Sequence, residues 1–283
     1  MSMDLTSPAV VREIITRHGF SFTKSLGQNF ITSRSALERM ITLSGIDEKT
    51  GVLEIGPGIG TLTRELSAHA AAVAAVEIDQ TLLPLLQETL SDCENVTVYH
   101  QDALKLDLPR FCAEALPYEK LAVCANLPYY ITTPLVTMLL ESKCFGSLTF
   151  LLQKEAVDRL CARPGDDGYC AASAVVRYYA EPKLAFRVGA DCFIPRPKVG
   201  SAVMTLQPIA RNLSKTQEKL VLRMIQAAFS QRRKTLTNTF SSAGLCTREE
   251  AAALLTSCGY REDIRGEALA AEDFIKLACA MEQ

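Results

Sequence analysis

The sequence has no tryptophan and only three histidines among its 283 residues. Its ten cysteines are scattered singly, without a C-x-x-C pair or a Cys/His cluster at metal-ligand spacing. That excludes a zinc site and a disulfide framework, so no metal is expected, and it predicts free thiols in a reducing, cytoplasmic compartment. No apolar run approaches the ~20 residues of a membrane helix, and residues 1–10 show neither the basic nor the apolar region of a secretory signal. An excess of one charge is lacking too. With 30 Lys+Arg against 32 Asp+Glu and a formal net charge of −2, a nucleic-acid partner would have to be met by local concentrations of basic residues. A hydrophobic share of 48% and a charged share of 22% exclude disorder, collagen-like repeats and coiled coil.

What is present reads as an α/β chain. Ser7-Pro8, the apolar positions Val10, Val11, Ile14 and Ile15, and then Gly19 predict a short helix with its cap, proline and glycine at the ends that favour them. A second helix is expected from about Arg34 to Leu43. Apolar runs at 52–55, 72–78, 96–100, 121–125, 148–152, 183–188 and 202–206 alternate with helix-length segments. This predicts a doubly wound parallel sheet covered on both faces. From about Arg211 the period changes to that of a helix, with a stripe through Leu220, Val221, Met224, Ile225, Ala228 and Phe229, and helical stretches at 251–255 and 274–278. A boundary between Leu206 and Ser214 gives a sheet domain over 1–208 and a small all-helical domain over 209–283.

Glu54 to Thr63 combines a strand end, a glycine turn and a helix start, with glycines at 56, 58 and 60. A dinucleotide fingerprint would require glycine or alanine at 61, where Thr61 stands. The tighter spacing suits a ligand without a pyrophosphate and argues against a nicotinamide dehydrogenase. The next strand ends at Glu77, twenty-one residues after Gly56, the distance at which a carboxylate accepts from the two ribose hydroxyls of a nucleoside. Asp79 reads better as a helix cap. The third strand runs into Asp102, an acceptor for the exocyclic amine of an adenine or, alternatively, another cap. Gly, Glu and Asp at three successive strand ends predict a nucleoside pocket.

The fourth strand runs directly into Asn126-Leu127-Pro128-Tyr129. Asparagine offers a carbonyl acceptor, and Leu127, preceding a proline, is held extended so that its own carbonyl can face a cleft. Two such acceptors bind both hydrogens of an aromatic amine and expose its lone pair. Tyr129 offers a face for a base drawn out of its stack. Chemistry of this kind rests on positioning and electrostatics and needs no nucleophile.

These stretches, with Lys24 to Phe30, Phe193 to Val203 and Phe229 to Leu236, resemble the KsgA family of small-subunit rRNA adenine dimethyltransferases from about residue 20 to the C-terminus. The resemblance implies a Rossmann-like class I methyltransferase sheet and S-adenosyl-L-methionine as cofactor. The substrate it implies is two adjacent adenines of the 3′-terminal hairpin of 16S rRNA in the small subunit or its precursor, each methylated twice at N6. Residues 1–45 would form a cofactor-closing segment in which Gln28, Asn29 and Ile31 cover the methionine part. Gly56 and Gly58 would form the floor, Glu77 would hold the ribose and Asp102 the adenine, and Asn126 would lie between cofactor and target base. The family usually has leucine at Ile31, where backbone contact alone is expected. Lys24, Arg196, Lys198, Arg232, Arg233 and Lys234 are the candidate contacts to RNA phosphates. A monomer acting away from membranes is expected. Two other readings share the motifs: a large-subunit rRNA adenine methyltransferase of the macrolide-resistance type, and a ribosome-assembly factor without catalysis.

Overall fold

The computed structural model describes residues 3–23, 27–231 and 233–282. Helix α1 (Pro8–Arg17) begins behind Ser7, which caps through its carbonyl, accepting from Val11 N–H at 3.0 Å, while its hydroxyl makes no capping bond. A two-residue strand β1 (Phe30–Ile31) leads to α2 (Arg34–Ser44), where Ser33 Oγ accepts from Ala36 N–H and Gly45 closes the helix in the left-handed region. Then β2 (Thr50–Ile55), α3 (Thr61–Ser67), β3 (Ala72–Glu77), α4 (Leu83–Thr89), β4 (Val96–His100), α5 (Leu108–Ala115), β5 (Lys120–Asn126), α6 (Thr132–Glu141) and β6 (Ser147–Gln153) alternate. They are followed by α7 (Lys154–Leu160), α8 (Ala171–Tyr179), β7 (Ala180–Val188), β8 (Phe193–Ile194) and β9 (Ser201–Pro208).

All seven expected strands join one sheet in the order β4-β3-β2-β5-β6-β9-β7, and β1 pairs separately with β8. Strands β2 to β6 pair in parallel. The expectation of a wholly parallel sheet fails at β9, which lies antiparallel to β6. A parallel neighbour needs a crossover, usually a helix, and the connection from Val188 to Ser201 carries only a 3-10 turn at Ala190–Cys192 and the short β8. The strand order reverses between β2 and β5, the place where doubly wound sheets open a ligand crevice at their carboxyl ends. Under the sheet, Leu37 and Met40 of α2 and Leu62 and Leu66 of α3 bury against Val52, Ala122, Leu151 and Val203. A second cluster joins Val11 and Ile14 of α1 to Phe30, Ile59 and Leu82, which seats the N-terminal helix beside the glycine loop.

The chain divides into two compact units, one made of residues up to Val157 with Lys183–Pro208, the other of Asp158–Pro182 with the chain from Ile209 onward. The first unit ends within the interval where the sequence places a boundary. Segment 158–182, which the sequence reading left in the sheet domain, joins the helices instead. The Tyr169 hydroxyl donates to the Leu269 carbonyl at 2.9 Å, a hundred positions away, and the Tyr169 ring meets Phe229 edge-on. The second unit continues with α9 (Lys215–Ser230), α10 (Leu236–Ser242), α11 (Arg248–Ser257) and α12 (Ala271–Met281). Ser214 with Gln217 and Thr247 with Glu250 form capping boxes at the starts of α9 and α11. Val221, Met224, Ile225 and Ala228 of the expected α9 stripe are buried. Among the described residues no helix is long and apolar enough to cross a membrane.

Candidate active site

At the carboxyl end of β2 the chain turns sharply through Gly56, Gly58 and Gly60, whose φ values of 72°, 61° and 86° all lie in the left-handed region. Glycine adopts that region without strain. The Gly56 N–H donates to the Val76 carbonyl, and the Gly60 N–H donates back to Pro57, each at 2.9 Å. At Gly58 the backbone lies so near the Phe30 ring that a Cβ would stand 2.9 Å from its Cδ1. The bare loop therefore serves two purposes: it starts α3 and lets β1 lie directly over it.

Glu77 ends β3 with 5% exposure, its carboxylate accepting from Asp79 N–H at 2.8 Å. Burial pushes its pKa up to about 7, although backbone N–H groups of Asp79, Ile78 and Gly58 pull the other way. Asp79 is the cap the sequence suggested, accepting from Thr81 N–H at 2.9 Å. Its other oxygen accepts from Gln28 Nε2 at 2.5 Å, which ties the segment before β1 to the end of β3. Asp102 fulfils the alternative reading, since its carboxylate caps the turn at 103–105 through Leu104 N–H at 3.1 Å and faces Lys105 at 3.5 Å. It nevertheless stands in the wall of the same cleft.

On the opposite wall, Asn126 Nδ2 donates to the Asn29 carbonyl at 3.0 Å. A backbone carbonyl can only accept, so this bond fixes the amide's orientation and leaves Oδ1 to accept from a ligand. Leu127 N–H is held by the Leu151 carbonyl of β6 at 3.2 Å, and Pro128 packs against Gly56. The Tyr129 hydroxyl reaches Ser201 Oγ at 3.0 Å, and burial raises its pKa. Gln28, Asn29, Ile31, Gly56, Gly58, Glu77, Asp102, Asn126, Leu127, Pro128 and Tyr129 all line this one cleft. The Ile31 side chain is 3% exposed and belongs to the core, so β1 presents mainly backbone there.

Several cleft residues escaped the sequence reading, and three of them bear on its chemistry. Ile78 and Leu104, beside Glu77 and Asp102, line the cleft while leaving 46% and 40% of their surface open, an apolar pair suited to a flat ring. Glu54 sits within the β2 motif, buried to 1% exposure in the cleft wall. Burial, and then the charge of Glu77, push its pKa up to about 8, and among the described residues its Oε2 has no hydrogen-bond partner. An acid inside an apolar strand was the available signal. Arg196 and Lys198 are exposed on the loop between β8 and β9 and do not line the cleft. Arg233 and Lys234 are exposed just after α9 in the second unit. Lys24 and Arg232 lie outside the described residues.

A mainly parallel seven-stranded sheet, a glycine loop after its first central strand and carboxylates at the ends of the next two define a class I methyltransferase that uses S-adenosyl-L-methionine. The family profile described as ribosomal RNA adenine dimethylase matches residues 19–280, and the chain belongs to that family. It is 42% identical to ribosomal RNA small subunit methyltransferase A of Streptococcus sanguinis over 99% of this chain and 98% of that protein. It is 40% identical to the protein of the same name from Alkaliphilus oremlandii, over 97% and 96%. Among solved structures it is similar to a dimethyladenosine transferase from Plasmodium falciparum (TM-score 0.72, 24% identity, 88% of this chain and 95% of that one), a likeness of fold. It is also similar to the 23S rRNA methyltransferase ErmE (TM-score 0.69, 26% identity, 90% and 100%). The activity is S-adenosylmethionine-dependent dimethylation of rRNA adenine.

Proposed function

We propose that the chain dimethylates N6 of two adjacent adenines in the 3′-terminal hairpin of 16S rRNA, acting as a monomer on the small subunit or its precursor. The observation that carries the chemistry is the fixed amide of Asn126, which lines the cleft with its Oδ1 left as an acceptor. The substrate follows the relatives named for the small subunit, 39–42% identical over nearly the whole chain, against 26% for ErmE.

The cleft fits the cofactor. Its wall holds a buried carboxyl at Glu77 and, among the described residues, an unpartnered carboxyl oxygen at Glu54, and Phe30 seals the glycine loop where any Cβ at Gly58 would intrude. Glu77 takes the ribose hydroxyls and Asp102 the adenine amine, with Ile78 and Leu104 on the ring. Gln28, Asn29, Ile31, Gly56 and Gly58 enclose the methionine part. Bound there, S-adenosyl-L-methionine supplies a methyl group on a positively charged sulfur. Asn126 Oδ1 and the Leu127 carbonyl accept from the N6 hydrogens of the target adenine, two before the first transfer and one before the second, drawing its nitrogen toward sp3 and freeing the lone pair for attack. With each methyl gained, N6 gives up one proton to solvent. Pro128 keeps that carbonyl in place, and Tyr129 supports the extruded ring. Catalysis is then positioning plus electrostatics. Arg196 and Lys198 on the first unit, and Arg233 and Lys234 with Lys24 and Arg232, meet RNA phosphates without reading sequence.

Tritiated methyl transfer to small subunits lacking the modification, followed by nucleoside analysis, tests this reading. N6,N6-dimethyladenosine in the 3′-terminal hairpin is the expected product. Label appearing in large subunits instead would assign the chain to the macrolide-resistance reaction.

A further inference from the structure

We infer that Ser201 is a positioning residue for methyl transfer, acting through the Tyr129 hydroxyl; this rests on the reading that Tyr129 supports the target base. Stacking needs only the face of an aromatic ring, so the hydroxyl of Tyr129 requires its own explanation. It is spent on Ser201 Oγ, 3.0 Å away and 72 positions along the chain. Ser201 is 1% exposed and is the first residue of β9, where it pairs with Gln153 of β6, and its neighbour Gly200 accepts from Lys154 N–H at 3.0 Å. One end of the bond is therefore part of the sheet.

The other end is less constrained. Tyr129 begins a single 3-10 turn after Pro128, and its half-buried ring can rotate about two side-chain torsions unless its tip is held. A buried phenol seeks a partner, and because its oxygen lies on the χ2 axis, the bond to Ser201 holds χ1 and so where the ring sits. The bond thus converts the rigidity of β9 into a fixed position for the ring that meets the base, beside the Asn126 acceptor that must meet its amine. The same strand start ends the Pro195–Gly200 loop, which carries the exposed Arg196 and Lys198. A backbone contact in that loop is thereby kept in register with the stacking face.

The test is a double-mutant cycle on the full chain, read as kcat and KM for methyl transfer to unmodified small subunits, with cofactor affinity by calorimetry and thermal melts as controls. Ser201→Ala and Tyr129→Phe are each expected to lower kcat by about tenfold, as small misplacements of a reacting group do. Their cofactor Kd should stay within about twofold, and the double variant should be no slower than either single. Additive losses, or wild-type kcat in either single, overturn the inference. If Ser201→Ala does not fold, Tyr129→Phe decides alone, because it leaves β9 untouched. Tyr129→Ala separates the two levels: near-normal transfer would remove Tyr129 from the base site altogether. A large loss there with normal Tyr129→Phe and Ser201→Ala would leave that reading standing and sink only the role of Ser201.

Discussion

Asn126 Nδ2 and the carbonyl oxygen of Asn29 meet at 3.0 Å across 97 positions of sequence. The bond joins the end of β5 to the segment that covers the glycine loop, and it fixes the orientation of the asparagine amide. On the proposed reading, the segment that closes over the cofactor and the group that recognises the amine are thus geometrically linked.

Asn126→Ala should therefore leave the cofactor Kd within a few fold and reduce single-turnover methyl transfer by about two orders of magnitude or more, the usual cost of losing a preorganised polar group. Turnover near wild type would mean that another acceptor positions the amine.

Glu77→Ala should abolish most cofactor binding while the melting curve stays cooperative, since charge-assisted bonds to the ribose hydroxyls contribute roughly 1.5–3 kcal/mol each. The carboxyl titrates at about 7 in the free cleft, so protons compete with the cofactor. Affinity should be constant at high pH and weaken as pH falls through that value, by up to about tenfold per unit. Calorimetry across this range checks it, and Glu77→Gln should bind weakly with no such pH dependence.

Glu54 makes the stability of the free protein depend on pH, and Glu77, raised to about 7, adds a smaller share of the same sign. The folded pKa of Glu54 is raised from 4.5 to about 8 by burial, so the folded chain holds a proton that the unfolded chain has lost. The resulting stabilisation is complete below about 4.5 and disappears as pH rises toward 8. Melting temperature should rise as pH is lowered from about 8.5 toward 5.5, and Glu54→Gln should flatten most of that slope. Equal slopes in the two proteins would show Glu54 ionised throughout.

Gly58→Ala combines a positive φ with a Cβ 2.9 Å from the Phe30 ring, whereas Gly19→Ala, at φ 59°, meets nothing within 4 Å. Both variants carry about 1–2 kcal/mol of left-handed strain. Only Gly58→Ala should lose more than that and also lift Phe30 from the loop, with weakened cofactor binding. Chemical denaturation and calorimetry of the two side by side isolate the contact.

Replacing Arg232, Arg233 and Lys234 together with Gln should weaken binding to small subunits and flatten its salt dependence by about 0.7–0.9 in the log–log slope per lost phosphate contact. Cofactor affinity should not change. Unchanged affinity and slope would make the stretch an ordinary solvated turn.

Much of the cleft's lining was legible in the sequence. Glycine spacing, acids at strand ends and Asn-Leu-Pro-Tyr are local patterns, and a parallel sheet carries each strand end to the same edge, so separate motifs converge without further information. Asp102 shows where local reading is incomplete: one carboxylate both caps a turn and lines the cleft, and sequence presents these as alternatives. Segment 158–182 shows where it fails, because its helical pattern suits either unit and long-range contacts such as the Tyr169–Leu269 bond and the Phe229 ring decide.

The sequence by itself determined the seven strands, the glycine loop, the acidic positions and the family, since these depend on periodicity and on residues a few positions apart. Tertiary structure alone decided that β9 runs antiparallel to β6, that Asn126 is oriented by Asn29, that Tyr129 is held by Ser201 and that Glu54 is buried in the cleft wall. The physical reason is shared. Each depends on strand order and on pairings between residues about 20 to 100 positions apart, and no local propensity encodes a partner at that distance.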